Sequence, residues 1–332
     1  MKVLAYVDGV KAEITEQAAK SLTHMNLAFG HMRVTGELEA GHLQLPARFE
    51  QIRAWNPGVK ILLSIVPFDP NAFTVCAADP ALRVKFAGSC VETIAQYGFD
   101  GVDFDWEFPC MPSNGHDCSP ADKRNFTLLC EDVRKAIGPN KLLTIAAGAD
   151  LYYVDAVEPE ELARILDFVC VMTYDLKCGF HALAGHHTQL YSSMGDVFRN
   201  SCDQALRLFH SRGIPKEKLL MGAAFYSRKW ENIKDRNHGL LQISEKGGGY
   251  GPNYGLLAEQ YINKNGFVRY WDDEAKAPYL FDGSIFLSYD DELSLKYKCE
   301  YIKEHGYGGI FYWEHSCDPS GALLAAIADN AR

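Results

Sequence analysis

Three acidic residues alternate with aromatic residues in the segment Gly101–Pro109. They are Asp103, Asp105 and Glu107, and the pattern around them is typical of a strand. Side chains alternate between the two faces of a strand, so we expect the three carboxylates to share one face, about 7 Å apart along the backbone. No Lys or Arg between positions 86 and 121 neutralises them.

Such an array of carboxylates is suited to acid catalysis. Carboxylates crowded into a partly buried place cannot all ionise at their ordinary pKa values, so the pKa of one of them rises. A carboxyl group with a raised pKa can act as a general acid near neutral pH. The alternative is a solvated acidic edge strand, which the apolar residues on the opposite face disfavour.

Charge and composition narrow the class of partner. The 332 residues are 47% apolar and carry a formal net charge of −10, with no basic run longer than two residues. This balance disfavours nucleic acid and anionic membranes as partners, and it favours neutral or weakly charged substrates. No stretch of 18 apolar residues is available to span a membrane. We expect a monomer without a cofactor or a metal.

The compartment is not fixed by the sequence. The segment Met1–Gly9 enters a strand directly and lacks the apolar core and cleavage site of a signal peptide. The expected location is the cytoplasm, or outside the cell if a leader has been removed. Among the ten cysteines, Cys110 and Cys118 bracket a loop and are expected to be two thiols or a disulfide rather than a metal site. Four others are expected in the core, namely Cys90, Cys130, Cys170 and Cys299.

Short apolar segments alternate with amphipathic ones along the chain, which is typical of a parallel α/β fold. The eight strand candidates are Val3–Tyr6, His24–Phe29, Lys60–Ile65, Gly101–Asp105, Leu142–Ala147, Phe168–Thr173, Leu220–Phe225 and Gly309–Trp313. Eight strand–helix units predict a closed (β/α)8 TIM barrel. The competing doubly wound sheet requires a Gly-rich turn after its first strand, and neither Val7–Val10 nor Gly247–Gly249 fits that pattern.

Two helices have clear end signals. One is predicted to begin at Ser119 as N-cap, with Pro120 as its first residue, and to stop at Gly138. The other is predicted from Glu292 to His305, with Gly306 ending it.

The regular alternation of strands and helices breaks between residues 231 and 287, which are rich in Gly, Tyr and Asn. We therefore predict a barrel from residues 1–230 and 288–332, with a small α+β module inserted at 231–287. The module contains a predicted helix at Tyr254–Asn263. Because it follows the seventh strand, it should emerge at the face of the barrel that carries active sites.

The motif Asp100-Gly-Val-Asp103-Phe-Asp105-Trp-Glu107 resembles the DGxDxDxE signature of glycoside hydrolase family 18, which contains the chitinases. Five further segments are similar to motifs of that family, namely Leu62–Ile65, Met172–Asp175, Phe225–Trp230, Ser288–Asp291 and Gly308–Glu314. The sequence departs from the family pattern at Val66-Pro67-Phe68, where Gly-Gly-Trp is common, and at Ser227, where Gly is usual.

The resemblance implies a role for each catalytic candidate. Glu107 would protonate the glycosidic oxygen, and the 2-acetamido group of the substrate would act as the nucleophile. Asp105 would orient that group and stabilise the cationic intermediate, and Asp103 would adjust the charge of Asp105. Tyr174 would donate a hydrogen bond to the acetamido oxygen.

Other residues are expected to bind substrate or support the acids. By resemblance, Trp313 forms the floor beneath the reacting sugar, and an ordinary core position is its alternative. The remaining substrate-binding candidates are Met172, Asp175, Tyr226, Arg228, Trp106, Phe29, Tyr6 and Ser64. A structural salt bridge is the alternative for Arg228, and a core position is the alternative for Trp106 and Phe29. Tyr6 and Ser64 are expected to support Asp103 or to be satisfied core groups. His186 and His187 receive no role.

The resulting hypothesis is a chitinase-type enzyme that cleaves β-1,4-linked N-acetylglucosamine, with retention of configuration. Three alternatives stay open: an enzyme acting on the chitobiose core of N-glycans, a non-catalytic chitin-binding lectin on the same barrel, and a barrel enzyme of unrelated chemistry. The expected partner is an oligosaccharide or polysaccharide that contains N-acetylglucosamine.

Overall fold

The computed structural model describes residues 1–112 and 117–332. The strands are β1 (Lys2–Asp8), β2 (His24–Met32), β3 (Leu38–Glu39), β4 (Lys60–Pro67), β5 (Gly101–Asp105), β6 (Leu142–Gly148), β7 (Phe168–Met172), β8 (Leu219–Ala224), β9 (Tyr226–Trp230), β10 (Gly249–Asn253), β11 (Val268–Asp272), β12 (Ala277–Phe281), β13 (Phe286–Ser288) and β14 (Gly309–Trp313). The helices are α1 (Glu16–Ser21), α2 (Phe49–Trp55), α3 (Ala72–Ala78), α4 (Pro80–Tyr97), α5 (Asp122–Ile137), α6 (Leu151–Asp155), α7 (Pro159–Ile165), α8 (Cys202–Ser211), α9 (Tyr254–Leu256), α10 (Glu292–His305) and α11 (Ala322–Ala331).

Eight parallel strands close into a barrel. Their hydrogen-bonded order is β1-β14-β8-β7-β6-β5-β4-β2, and the pairing of β1 with β2 completes the circle. Helices lie between successive strands, so the predicted (β/α)8 barrel is confirmed. Each predicted strand is present, although several continue for one to three residues beyond the predicted ends.

The two faces of β5 show how the sequence places the acids. The apolar residues Val102 and Phe104 are fully buried, and the ring of Phe104 contacts Phe86 and Phe126 of the surrounding helices. Because side chains alternate along a strand, Asp103 points the opposite way, into the barrel. The barrel interior is filled by a separate apolar cluster that includes Leu4, Tyr6, Phe168, Cys170, Leu220 and Phe311.

The first predicted helix starts later than expected. It begins at Asp122 rather than Pro120, and Ala121, not Ser119, occupies the N-cap position. The fully buried Asp122 side chain accepts hydrogen bonds from the backbone N–H groups of Ser119, at 2.9 Å, and Cys110, at 3.2 Å. These bonds hold the preceding residues in a turn. The predicted stop at Gly138 and the helix Glu292–His305 are confirmed.

A second, antiparallel sheet has the strand order β10-β9-β13-β12-β11. It encloses its own apolar cluster around Trp230, Tyr279 and Phe286. The sheet includes β9 and β13, so it extends beyond the predicted limits of 231 and 287 at both ends. The helix expected at 254–263 is shorter, with α9 followed by a π-helical turn at Leu257–Tyr261.

The described cysteines are all unlinked, including Cys110 and Cys118 on either side of a loop that lies partly outside the described residues. The four cysteines predicted in the core are buried. In the described part of the chain, no helix combines the length and the apolar character needed to cross a membrane.

A fully buried ion pair fastens α10 to the barrel. The Lys298 Nζ lies 2.6 Å from an Asp290 carboxylate oxygen and donates a second hydrogen bond, at 2.7 Å, to the Thr188 hydroxyl. The same carboxylate oxygen accepts from the backbone N–H of Ala224, at the end of β8, and Thr188 donates to the backbone carbonyl of Thr173, directly after β7. The pair therefore joins α10 to the ends of two barrel strands.

We expect Lys298→Met to lower the free energy of unfolding by about 3–5 kcal/mol, because the substitution leaves a buried carboxylate without its cation. Urea denaturation measures the change. Lys296→Met is the matched control, since that side chain on the same helix is 51% exposed and should change stability by less than about 0.5 kcal/mol. Equal losses for the two variants would contradict a stabilising role for the buried pair.

Candidate active site

Asp103 lies at the centre of the barrel and is completely buried. Its Oδ2 accepts hydrogen bonds from the hydroxyl groups of Tyr6 and Ser64, both at 2.8 Å, and its Oδ1 accepts one from Thr144 at 2.6 Å. Ser64 and Thr144 are the direct neighbours of Asp103 on β4 and β6. Burial raises the pKa of Asp103, while these hydroxyl groups act in the opposite direction.

Asp105 lies one step closer to the carboxyl end of β5 and is 8% exposed. Among the described residues, its Oδ1 has no hydrogen-bond partner. Burial raises the pKa of Asp105 well above its ordinary value, and the charges of Glu107 and Asp103 add to the shift. These surroundings favour the protonated form of Asp105 more than water would.

Glu107 follows the strand, which ends at Asp105, so only two of the three acids belong to β5 itself. Its side chain is accessible to solvent and lies close enough to the Tyr152 and Tyr174 hydroxyl groups for its charge to affect them. The surrounding protein restricts its hydration. This loss of hydration, together with the negative charge of Asp175, raises the pKa of Glu107 to about 7. A carboxyl group with a pKa near 7 is protonated in a large fraction of molecules at neutral pH, and one that can also meet a ligand has the properties of a general acid.

Asp175 is the centre of a hydrogen-bonded cluster between the barrel and the second sheet. Its carboxylate accepts from the Tyr226 hydroxyl at 2.8 Å, from the Arg228 Nε at 2.6 Å and from the Arg228 Nη2 at 2.5 Å. His187 lies behind it, with Nδ1 3.5 Å from the carboxylate. Burial acts to raise the pKa of Asp175, but His187 and Arg228 outweigh burial and hold the pKa well below its usual range. Asp175 is therefore a permanent negative charge beside Glu107.

Tyr174 lies between the acids and the second sheet. Its ring packs edge-on against Phe311, with centroids 5.9 Å apart, and against Tyr226 at 6.1 Å. A side chain larger than hydrogen at Gly222 would press against this ring, so that glycine makes room for it. Burial and the nearby charges of Asp105 and Glu107 raise the pKa of Tyr174 well above its ordinary value. Its hydroxyl group therefore keeps its proton and can serve as a donor.

Two aromatic rings line the carboxyl end of the barrel. The half-buried rings of Trp313 and Phe29 stack with centroids 5.5 Å apart, and Tyr6 lies 5.9 Å from Trp313. Met172, also half-buried, packs against the interior cluster that contains Tyr6. The peptide bonds Ala28–Phe29, Glu107–Phe108 and Trp313–Glu314 are cis.

This geometry can be compared with that of known proteins. The family model for glycosyl hydrolases family 18 matches residues 2–318. The chain belongs to this family. It is 35% identical to chitinase A1 of Niallia circulans over 83% of its own length and 43% of that protein. It is 31% identical to chitotriosidase-1 of Mus musculus over 88% of its own length and 66% of that protein. The chain thus spans less than two thirds of these curated relatives.

One solved structure is similar to this chain over nearly the full length of both proteins. It is a glycoside hydrolase family 18 N-acetylglucosaminidase from Paenibacillus barengoltzii, with a TM-score of 0.96 and 47% identity, and the alignment covers 99% of each chain. The cell-surface chitinase ChiW of a Paenibacillus strain superposes with a TM-score of 0.90 at 34% identity, over 100% of this chain and 43% of that one.

The structure brings most of the predicted family 18 residues together. The acids, Tyr174, Asp175, Tyr226, Arg228, Trp313, Phe29 and Met172 all lie at or near the carboxyl ends of the barrel strands. Tyr6 and Ser64 are buried beneath them and contact Asp103, so they are not surfaces for a substrate. For Trp106, the structure favours the core position that was the alternative to a contact with the bound sugar. Its ring is 4% exposed and stacks on Phe73, with centroids 5.1 Å apart, in the helical layer.

The sequence did not single out several residues of the site. Thr144 follows only from the strand register, and His187 reaches Asp175 through a long loop. Tyr152 and Tyr250 lie within range of the Glu107 charge.

In the described residues, no group of three or more metal-ligating side chains is close enough to hold a metal ion. A cavity of about 740 Å³ between α6 and α8 includes none of the candidate residues.

We expect the pKa of Glu107, followed by carbon-detected NMR, to lie near 7 and to fall in Asp175→Asn. That substitution removes the negative charge that favours the protonated form, and it leaves the positive Arg228 uncompensated. Because the pKa of Glu107 is higher in the folded protein than its ordinary value of 4.5, stability contributed by this group is present below about pH 4.5 and declines as the pH rises through 7.

Glu231→Gln is the control for this titration, because that carboxylate pairs with Lys229 on an exposed part of the second sheet. It should leave the pKa of Glu107 unchanged. A Glu107 carboxyl that titrates near 4.5, or one that Asp175→Asn does not affect, would contradict the electrostatic description of the site.

Proposed function

We propose that this chain hydrolyses β-1,4-linked N-acetylglucosamine oligomers or chitin by a retaining, substrate-assisted mechanism. The observation that carries the proposal is a series of three carboxyl groups with increasing exposure to solvent. Asp103 is buried, Asp105 is nearly buried, and Glu107 is accessible and has a pKa of about 7. The names of the chitinase relatives and of the Paenibacillus barengoltzii N-acetylglucosaminidase support N-acetylglucosamine as the sugar.

Glu107 acts first as the general acid. It transfers its proton to the glycosidic oxygen, the bond from that oxygen to the anomeric carbon breaks, and the acetamido carbonyl oxygen bonds to the same carbon to give an oxazolinium ion. Glu107 is then a carboxylate. It takes a proton from a water molecule, and the oxygen of that water attacks the anomeric carbon. The bond from this carbon to the acetamido oxygen breaks, which opens the oxazolinium ring, and the second inversion restores the original configuration.

The two buried aspartates stabilise the cation. In the free protein, the pair Asp103–Asp105 holds a proton, since the pKa values of both carboxyl groups are raised. When the acetamido N–H approaches Asp105, that proton moves to Asp103, whose three hydroxyl neighbours accommodate either form. Negative charge then faces the positive intermediate at a nearly buried carboxyl group, where it is poorly screened and acts strongly.

Tyr174 and Trp313 position the reacting sugar. The Tyr174 hydroxyl keeps its proton and donates to the acetamido oxygen, which aims that oxygen at the anomeric carbon. The half-exposed face of Trp313 supports the C–H-rich face of the pyranose ring. Asp175, held by Tyr226 and Arg228, stays ionised and keeps the pKa of Glu107 high enough for proton donation.

The alternatives carry less support. A non-catalytic lectin on this barrel has no need for an accessible acid with a pKa near 7, and Glu107 is present. For an enzyme that acts on the core of N-glycans, no contact in the described site argues in its favour over a chitin-type substrate.

We expect Glu107→Gln to lower the turnover of an N-acetylglucosamine oligomer by roughly 10²–10⁴-fold, because the amide cannot donate the proton. The parent enzyme should lose activity as the pH rises through about 7, where Glu107 ionises. Steady-state kinetics over a pH series measures both effects. Glu231→Gln, which changes an exposed acid that pairs with Lys229 on the second sheet, is the control and should keep its activity. Near-parental turnover by Glu107→Gln would show that Glu107 is not the general acid.

We expect cleavage to require the acetamido group. N-acetylglucosamine oligomers should be cut with retention of configuration, whereas glucosamine oligomers and cellotetraose should not be cut, since neither forms an oxazoline. A stable thiazoline analogue should inhibit, because it resembles the intermediate. Proton NMR of the new reducing end gives the stereochemistry. Efficient cleavage of cellotetraose, or inversion of configuration, would rule out the mechanism.

A further inference from the structure

Tyr250 is an exposed aromatic residue held in a fixed position on the second sheet. It lies on β10, directly opposite Arg228 on β9, and 72% of its surface is exposed. The guanidinium carbon of Arg228 lies 3.7 Å from the centre of the Tyr250 ring, and the Tyr226 ring centroid is 5.9 Å away. One side of the ring is therefore covered by a cation that is itself bound to Asp175, and the rest faces solvent.

The exposed ring lies on the same side of the molecule as the acids. Burial of part of the side chain raises the pKa of Tyr250, and the charges of Asp175 and Glu107 add to the effect, which places its hydroxyl group within their range. Arg228 connects the two directly, because it contacts the Tyr250 ring and the Asp175 carboxylate. Tyr250 therefore lies one side chain away from Asp175, the residue whose charge acts on Glu107.

The strand β10, which carries Tyr250, is held against β9 by a hydrogen bond from Ser227 and by the close approach of Gly251 to the same hydroxyl group. The Ser227 hydroxyl donates a hydrogen bond to the Pro252 carbonyl of β10 at 2.6 Å. A side chain at Gly251 would collide with that hydroxyl group, and one at Gly248 would collide with the Trp230 ring. The Ser227 hydroxyl group and the missing side chain at Gly251 therefore fit each other and hold β10 close to β9.

We propose that Tyr250 contacts an N-acetylglucosamine unit bound across Glu107 and Asp175, and that it determines how tightly the oligomer binds. The inference rests on the proposed function. A tyrosine ring matches the C–H face of a pyranose, and its hydroxyl group adds a polar contact. The ring is ordered before binding by Arg228 and by the fastened strand, so little conformational entropy is lost when the sugar arrives.

A purely structural role for Tyr250 predicts something different. In that case the ring shields the Arg228–Asp175 ion pair, and its loss changes the charge at Asp175 and hence the pKa of Glu107. The pH dependence of activity would then shift while oligomer binding stayed the same. A ligand contact predicts the opposite: binding weakens and the pH dependence stays in place.

The test uses calorimetric binding of the N-acetylglucosamine trimer to Glu107→Gln protein, in which cleavage is suppressed. We expect Tyr250→Ala to weaken binding about tenfold and Tyr250→Phe, which keeps the ring, to weaken it only about two- to threefold. Ile243→Ala is the matched control on the same module, since Ile243 is 73% exposed and Tyr250 72%. It should bind like its parent. In otherwise wild-type protein, Tyr250→Ala should raise KM for the trimer without moving the pH at which activity declines.

The strand itself supplies a second test. Gly251→Ala should also weaken binding, because the new methyl group displaces β10 from Ser227. Adding Ser227→Gly should restore part of the lost affinity, since it removes the hydroxyl group with which the methyl collides. Trimer binding unaffected by Tyr250→Ala, or a shifted pH profile with unchanged binding, overturns the inference.

The inference and the proposed function can fail separately. If the wild-type chain binds the trimer through Tyr250 but does not cleave it, the proposed function fails and the inference stands. If the chain cleaves the trimer and Tyr250→Ala binds it as tightly as its parent, the inference fails alone. A parent that does not bind the trimer overturns both.

Discussion

Burying a carboxyl group at the centre of the barrel is energetically unfavourable. Much of the site depends on the hydrogen bonds that compensate Asp103 for its lost hydration. Water cannot reach it, so three hydroxyl groups from β1, β4 and β6 take the place of water. Asp105, one step along the same strand, then lies beside a group that is already poorly hydrated, and its pKa rises well above the ordinary value. The barrel thus contains two acids that cannot both be ionised without a cation, and a positively charged intermediate would supply one.

Charge is arranged differently where the barrel meets the second sheet. Asp175 has a cation of its own, Arg228, together with the Tyr226 hydroxyl group, and its pKa is held low. Its fixed negative charge acts on Glu107 across the site. Aspartate side chains are therefore affected in opposite directions by their surroundings: the pKa values of Asp103 and Asp105 are raised, and the pKa of Asp175 is lowered.

Periodicity in the sequence was sufficient to predict the barrel and the inward face of β5, because both depend on which residues alternate. The same period of two places Trp106 on the face opposite Asp105, which agrees with its stacking on Phe73 and with the core position that was one of its two predicted environments. Thr144 could not be found without the register between β5 and β6. Tyr250 lies in a segment whose Gly-rich composition carries no periodic signal, and its position depends on pairing with β9. The start of α5 depends on the buried Asp122 carboxylate, which a capping rule based on residue type alone does not capture.

The two sheets are not separable parts. β8 ends at Ala224 and β9 begins at Tyr226, so a single residue, Phe225, carries the chain from the barrel wall into the second sheet. β9 in turn lies between β10 and β13, which come from either end of the insertion. A trimmed protein that lacks residues 231–287 would therefore keep Arg228 but lose β10 and two of the three residues of β13, and Asp175 would lose a well-placed counterion. Designers who wish to shorten this scaffold or to exchange its insertion for another must treat β9, β10 and β13 as part of the catalytic barrel.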